Sequence, residues 1–143
     1  MNFNSDFKFD LQLGQLGESF IARLLHDKTI EVKFDFGTHR TGNFYIEYES
    51  RNKPSGLATT QATYWILIAA SEQGCRLKHN ITELMPEDIL FAVMIDTEHL
   101  KNLCRTQYYR KDVPGGDDNT SKGILIKSHV LCQPKNSATS LKK

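Results

Sequence analysis

Two short segments in which apolar and charged residues alternate restrict the possible folds more than any other feature of this sequence. Residues 29–35 read TIEVKFD and residues 44–49 read FYIEYE, so that each places an apolar side chain at every second position. Because successive side chains of a β-strand point to opposite faces, this alternation predicts two strands, each with one apolar face. The connection FGTHRTGN contains two glycines. We therefore predict that the two strands form an antiparallel hairpin.

The rest of the chain is predicted to place helices against these strands in one domain. Leucine and phenylalanine recur at spacings of three and four residues between positions 10 and 25, which is typical of an amphipathic helix. A chain of 143 residues without an internal linker fits a single domain. The expected fold class is therefore α/β (α+β), with the domain in residues 1–133 and a flexible basic tail in residues 134–143. The further predicted elements are a short helix at 57–63, buried strands at 64–70 and 88–96, a helix at 97–105 and a last strand at 124–131.

Charge and composition exclude several classes of protein. A net charge of +1 argues against a protein that coats nucleic acid without sequence preference, although it permits local contact with DNA. No apolar run approaches the roughly 20 residues that a membrane-spanning helix requires. The N-terminal residues MNFNSDFKFD lack the pattern of a secretory signal, and three widely spaced cysteines are typical of free thiols in a reducing compartment. We therefore expect a cytoplasmic protein that does not bind membranes.

The charged faces of the two predicted strands carry the candidate chemistry. Glu31, Lys33 and Asp35 share one face of the first strand, at steps of about 6.6 Å. Glu47 and Glu49 share one face of the second strand. Like charges placed opposite each other destabilise a sheet unless a cation compensates them, and carboxylate oxygens are the protein ligands that Mg²⁺ prefers. A face of mixed charge that simply points into solvent is the alternative interpretation.

An acid followed two positions later by a lysine on one strand can support hydrolysis of a phosphodiester bond. The acid holds a metal ion that polarises the phosphate and lowers the pKa of a bound water. The lysine ammonium lies beside that water, where it orients the attack and stabilises the negative charge of the transition state. Glu31 and Lys33 have this spacing, and they must share one face for the chemistry to work.

The order of several short motifs resembles the PD-(D/E)xK nuclease superfamily. The motifs are GQLGESFIARLL, IEVKFD, TGNFYIEYES, KPSG and, near the C-terminus, GGDDNTSKGILI. The likeness is closer to small phage and bacterial nucleases than to the superfamily at large. It implies a restriction-endonuclease-like fold, in which a mixed sheet is flanked by helices, and it implies cleavage of DNA with Mg²⁺ or Mn²⁺.

By position, the resemblance implies catalytic roles for Lys33, Glu31 and Glu18. Lys33 would position the attacking water. Glu31 and Glu18 would hold the metal ion, together with either Asp35 or Asp27. The residues that the resemblance places near the DNA are Arg40, Thr41, Asn43, Lys53 and Ser55.

The sequence departs from the family pattern in two places. The first acid of the family lies on a strand well before the acid–lysine pair, whereas Asp27 lies only four residues before Glu31. Thr63 stands where relatives tend to carry an acid. Either the metal site is reduced or lost, or another subunit completes it, and a homodimer would suit cleavage of both DNA strands. A catalytically degenerate relative that binds DNA or a protein is therefore the alternative function.

Overall fold

The computed structural model describes residues 3–106, 112–116 and 118–132, and in these ranges the chain forms one α+β domain with two β-sheets. The predicted fold class is thus confirmed at the level of a single domain of helices and sheets. The predicted tail at 134–143 lies outside the described residues. The helices are α1 (Phe3–Leu25), α2 (Thr38–Thr41), α3 (Thr97–Thr106) and α4 (Ser128–Leu131). The strands are β1 (Ile30–Asp35), β2 (Asn43–Ser50), β3 (Lys53–Pro54), β4 (Tyr64–Ala70), β5 (Ile89–Asp96), β6 (Asp112–Gly115) and β7 (Ser121–Lys127).

The two sheets differ in the direction of their strands. The three-stranded sheet has the order β1-β4-β5, with β1 parallel to β4 and β5 antiparallel to β4. The four-stranded sheet has the order β3-β2-β7-β6, and all its neighbouring strands are antiparallel. A single mixed sheet was expected, but the described residues divide between these two.

One apolar core joins both sheets to helices α3 and α4. Alternate residues of the central strands β2, β4 and β7 point into it, and burial of each large side chain stabilises the fold by about 1.5–3 kcal/mol. Trp65, which the sequence places in a buried strand, is only 1% exposed. Large members of the core include Phe44, Ile46, Trp65, Leu67, Leu100, Leu103, Ile124 and Ile126.

The predicted hairpin between residues 29–35 and 44–49 is wrong, because these two strands belong to different sheets. β1 pairs along its whole length with β4, and β2 pairs with β7. The residues of the predicted turn instead form the short helix α2, which ends at Gly42. Gly42 has a left-handed φ of 72°, which glycine adopts readily. This helix carries the chain from one sheet to the other.

Two other predicted elements differ in detail. Residues 57–63 form only a short 3₁₀ turn at Gly56–Ala58, because threonine side chains and backbone groups there make bonds that compete with a helix. The amide of Ala62 donates to the hydroxyl of Thr60, for example. The predicted strand at 124–131 ends at Lys127, and α4 follows it.

Helix α1 is present as predicted, but its apolar stripe is uncovered. Phe9 is 63% exposed and Leu16 is 65% exposed. A Cβ atom at Gly14 or Gly17 would meet nothing within 4 Å, so no described residue packs closely against these glycines. Although α1 is long, neither it nor any other described helix is apolar enough to cross a membrane.

Candidate functional site

The charged face of β1 is the inner face of its sheet. Glu31, Lys33 and Asp35 stand beside Trp65, Leu67 and Ala69 of β4, which are all buried. Neighbouring residues of paired strands point to the same face. The apolar side chains of β1 consequently lie on the outer face, where Val32 is 50% exposed. The alternation predicted from the sequence is therefore present, with its charged side turned toward the interior.

A small hydrogen-bonded network holds Glu31 and Lys33 on this inner face. The indole N–H of Trp65 donates to the Thr60 hydroxyl at 3.2 Å, and that hydroxyl donates to Glu31 Oε2 at 2.9 Å. Lys33 Nζ lies 3.7 Å from Glu31 Oε1 and 5.9 Å from the centroid of the Trp65 ring. The ammonium is thus held by a carboxylate and an aromatic face together. Thr60 was not predicted as a site residue, and it lies too far from Glu31 in the chain for any local pattern to indicate the contact.

Asp35 fastens the end of β1 to the beginning of β2. Its Oδ1 accepts hydrogen bonds from the amides of Gly37 at 2.8 Å and Thr38 at 3.0 Å. Its Oδ2 accepts from the amide of Tyr45 at 2.8 Å. An ionised acceptor makes these bonds stronger than neutral ones. The carboxylate therefore both starts α2 and satisfies a backbone donor on β2.

Glu47 joins Lys33 and Asp35 at one open cleft between the two sheets, with a volume of about 470 Å³. Ser55 donates a hydrogen bond to Glu47 Oε1 at 2.7 Å, which fixes the carboxylate. Lys78 contributes a second ammonium group to the lining. The cleft thus combines two carboxylates from different strands with two cations. Sequence reasoning identified Glu47 as an acid of the charged face but did not include it among the metal ligands.

The four predicted metal ligands do not converge. Glu18 lies on the uncovered helix α1, and the carboxylate of Asp27 lies 3.1 Å from His26 Nε2 at an exposed turn. Glu31 and Asp35 stand four residues apart on an extended strand, about 13 Å, which is too far for both to bind one ion. Among the residues that the structure describes, no three His, Cys, Asp or Glu side chains form a group that could hold a metal.

Asp35 and Glu47 nevertheless suit a magnesium ion in their chemistry. Mg²⁺ is commonly held by one or two carboxylates and completed by water and substrate phosphates. The Asp35 carboxylate accepts a hydrogen bond from the amide of Tyr45 on β2. Glu47 is two residues after Tyr45 on β2, so the Cα atoms of Tyr45 and Glu47 are about 6.6 Å apart. Asp35 Oδ1 already accepts two hydrogen bonds, but Asp35 Oδ2 and both oxygens of Glu47 each retain a lone pair beyond the bonds described above. The pair fits an ion that the substrate helps to bind.

The residues predicted to contact DNA lie on the segments next to this cleft. Arg40 and Thr41 are exposed on α2, directly after Asp35. Asn43 begins β2 and is partly buried. Lys53 is exposed on β3, and Ser55 contacts Glu47 as described. The five residues thus flank the two carboxylates from both ends of β2.

Tyr45 closes one side of the site with a buried hydroxyl that has no hydrogen-bond partner among the described residues. Its ring lies so close over Gly123 that a Cβ there would come within 2.5 Å of it. Burial and, next, the charge of Glu47 raise the pKa of Tyr45 above its ordinary value of 10.0. The raised pKa means that the folded protein keeps this phenol neutral at pH values where the unfolded chain ionises it.

We expect Tyr45→Phe to increase the free energy of unfolding by about 1 kcal/mol near pH 7.5, because it removes an unpaired buried hydroxyl. The parent should lose stability as the pH rises above 10, since the unfolded chain then releases a proton that the folded protein retains. The variant should lose less over the same range. Urea unfolding at pH 7.5 and pH 10.5 measures both effects. A destabilised variant at pH 7.5, or an unchanged alkaline loss, would contradict the assignment.

Comparison of the chain with protein-family models, with curated proteins and with solved structures gives no match. The interpretation of the site consequently depends on its residues and their geometry.

Proposed function

We propose that this chain is a metal-dependent nuclease that hydrolyses phosphodiester bonds of DNA. The observation that supports the proposal is the cleft to which Lys33 and Asp35 of β1 and Glu47 of β2 all contribute. A hard divalent ion can bind to the two carboxylates, and a phosphate can contact both that ion and the ammonium group. The resemblance of the sequence motifs to PD-(D/E)xK nucleases points to the same reaction. Such an enzyme would work in the cytoplasm of the cell, and of the host cell if a phage encodes it.

Each residue of the cleft has a separate role in this proposal. Asp35 and Glu47 would hold Mg²⁺ or Mn²⁺, which when bound supplies Lewis-acid polarisation of the phosphate and a more acidic water. Lys33 would donate a hydrogen bond to the attacking water and stabilise the charge that develops on the phosphate oxygens. Glu31 would act through Lys33 as a positioning residue, because it lies 3.7 Å from the ammonium.

The substrate would lie across the segments that flank the carboxylates. Arg40 and Lys53 are exposed cations on either side, suited to contact with the DNA backbone. Thr41, Asn43 and Ser55 offer hydroxyl and amide groups for the same purpose. Because these contacts reach phosphates, they would position the DNA without selecting a sequence.

A catalytically degenerate relative that binds DNA or a protein is the second candidate. The observation that favours it is that the acids already have hydrogen-bond or ion-pair partners within the protein. Both oxygens of Asp35 accept backbone hydrogen bonds, and Glu31 is engaged by Thr60 and Lys33. In this case the acids would serve the fold, and the cleft would bind without cleaving.

The experiment that tests the proposal combines metal binding with cleavage. Thermal unfolding of the purified chain is followed while Mg²⁺ or Mn²⁺ is added, and supercoiled and branched DNA are incubated with each metal. We expect a rise in the midpoint, equivalent to about 2.7 kcal/mol when the metal exceeds its dissociation constant a hundredfold, and cleavage of DNA. Glu47→Gln should lose both effects.

Glu98→Gln is the matched control, because Glu98 is exposed on α3 and does not line the cleft. It should retain the metal shift and the cleavage of the parent. DNA binding without cleavage in the parent would favour the second candidate. A parent that shows neither a metal shift nor DNA binding would overturn the nuclease proposal and would leave only a protein as the partner of the second candidate.

A further inference from the structure

Two large apolar surfaces are left uncovered in the described structure, and one of them is a face of α1. Monomeric proteins rarely expose a connected apolar surface of more than a few hundred Å². One face of the helix presents four large apolar side chains that are 53–65% exposed, on the order of 500 Å² in total. They are Phe9, Leu13, Leu16 and Phe20.

The second surface is the outer face of the three-stranded sheet. Ile30, Val32 and Phe34 of β1 are all exposed on it, and Met94 of β5 is 38% exposed beside Ile66 of β4. At Phe34 this face continues into a groove of about 430 Å³. The apolar residues that line the groove are Phe34, Phe36, Leu77, Ile81 and Leu84.

The two surfaces match in length and in shape. From Phe9 to Phe20 the stripe of α1 extends about 17 Å, at 1.5 Å per residue. The six residues of β1 extend about 17–20 Å. Gly14 and Gly17 leave the flank of the stripe without side chains, so a sheet could approach the helix closely there. An amphipathic helix laid into an apolar groove is a recurrent mode of protein recognition.

Helix α1 stays exposed in its own chain, and the turn that follows it is held by hydrogen bonds. The amide of Lys28 donates to Leu25 O at 3.2 Å, and Asp27 adopts a left-handed φ of 55°. Thr29 O then accepts from the amides of Thr63 and Tyr64 at 2.9 and 3.2 Å, which ties the start of β1 to β4. Folding α1 back onto its own sheet would require this turn to change.

We propose that α1 docks on the outer face of the three-stranded sheet of a second copy of this chain, in a reciprocal exchange. A two-fold symmetric dimer of this kind uses the same helix and the same sheet face from both copies, so that neither surface stays exposed. Two helices and two receiving faces would together bury on the order of 2,000 Å², which is the size of a stable homodimer interface. The proposal does not depend on the nuclease activity.

Mass measurement by light scattering tests the proposal first. The parent should have twice the 16.3 kDa mass of one chain. Leu16→Asp should have the mass of a monomer, because it places a charge in the centre of the stripe. Gln15→Asp is the matched control: it adds the same charge about 100° away around the same turn, on a polar side of the helix beside Gln12 and Ser19, and it should remain a dimer. Circular dichroism of each variant checks that the fold is retained.

Cross-linking between two differently tagged chains then tests which surfaces meet. One chain carries Leu16→Cys and the other Val32→Cys, both with the exposed Cys132 replaced by serine. We expect a disulfide between the two tags. A monomeric parent, a Leu16→Asp dimer, the absence of a disulfide between the two tags, or a link only between two Leu16→Cys helices would each overturn the proposal.

Discussion

Replacing Lys33 with methionine is expected to reduce DNA cleavage by about 100-fold or more while the fold and the affinity for DNA are kept. Lys33 Nζ lies beside Glu31 and over the Trp65 ring, and its side chain is 47% exposed toward the cleft. Methionine keeps an apolar stem of similar length against the indole and removes only the ammonium group. The loss should appear in the rate of a single turnover, measured with the protein in excess over the DNA and with saturating metal.

Lys78→Met is the matched control, because Lys78 lines the same cleft. Lys33 has the Glu31 carboxylate beside it, whereas the described part of the chain places no such carboxylate beside Lys78. Its cleavage rate should fall by less than tenfold, since a cation at this position would contact DNA without touching the attacking water. Equal losses in the two variants would indicate a general need for positive charge in the cleft. Cleavage by Lys33→Met within tenfold of the parent would remove Lys33 from the mechanism.

The features of the fold that could be predicted from the sequence are those with a local cause. Alternation along residues 29–35 and 44–49 identified β1 and β2, because the side chains of any strand change face at each residue. The apolar run at 64–70 became β4 within the same limits. The helical spacing in α1 and the strong stripe of α3 were equally visible. None of these predictions needed information about a distant residue.

Strand pairing could not be predicted in the same way, since it depends on residues far apart in the chain. Ile30 stands beside Tyr64, and nothing in the composition of either segment indicates this partner or its parallel direction. The connection after β1 looked like a hairpin turn because of its glycines. The Asp35 carboxylate bonds to the amides of Gly37 and Thr38, which favours a helical turn instead.

The candidate site shows the same division. The sequence placed Glu31, Lys33 and Asp35 on one face, and the structure agrees. It could not show which acids meet across strands, and the structure brings Glu47 to the cleft while Glu18 lies on an uncovered helix. The contact between Thr60 and Glu31 spans 29 positions and leaves no trace in a local pattern.

Asp35→Ala is expected to lower the free energy of unfolding by about 3 kcal/mol, the largest loss that we expect from one side chain of the site. Three backbone amides, those of Gly37, Thr38 and Tyr45, would lose an ionised acceptor at once. Two of them begin α2 and the third lies on β2, so the substitution loosens the passage between the two sheets. Urea unfolding in the presence of a metal chelator measures the loss without any contribution from bound metal.

Asp96→Ala is the matched control for this measurement. The Asp96 carboxylate accepts one backbone hydrogen bond, from the amide of His99 at 3.0 Å, and so caps α3 in the ordinary way. Its loss should cost about 1 kcal/mol. If Asp35→Ala cost no more than Asp96→Ala, the three hydrogen bonds of Asp35 would not join the sheets as described.

Because Asp35→Ala is expected to be unstable, this variant does not test whether Asp35 binds the metal. Loss of cleavage in that variant would follow from a disturbed cleft as readily as from a missing ligand. Asp35→Asn is more informative, because its amide oxygen can still accept the bonds from Gly37 and Thr38, while the negative charge and the acceptor for the Tyr45 amide are gone. If Asp35 and Glu47 share an ion, Asp35→Asn and Glu47→Gln should lose the metal-induced rise in the unfolding midpoint to a similar extent. If only Glu47→Gln loses it, Asp35 serves the fold alone, and the ion depends on Glu47 and the substrate phosphate.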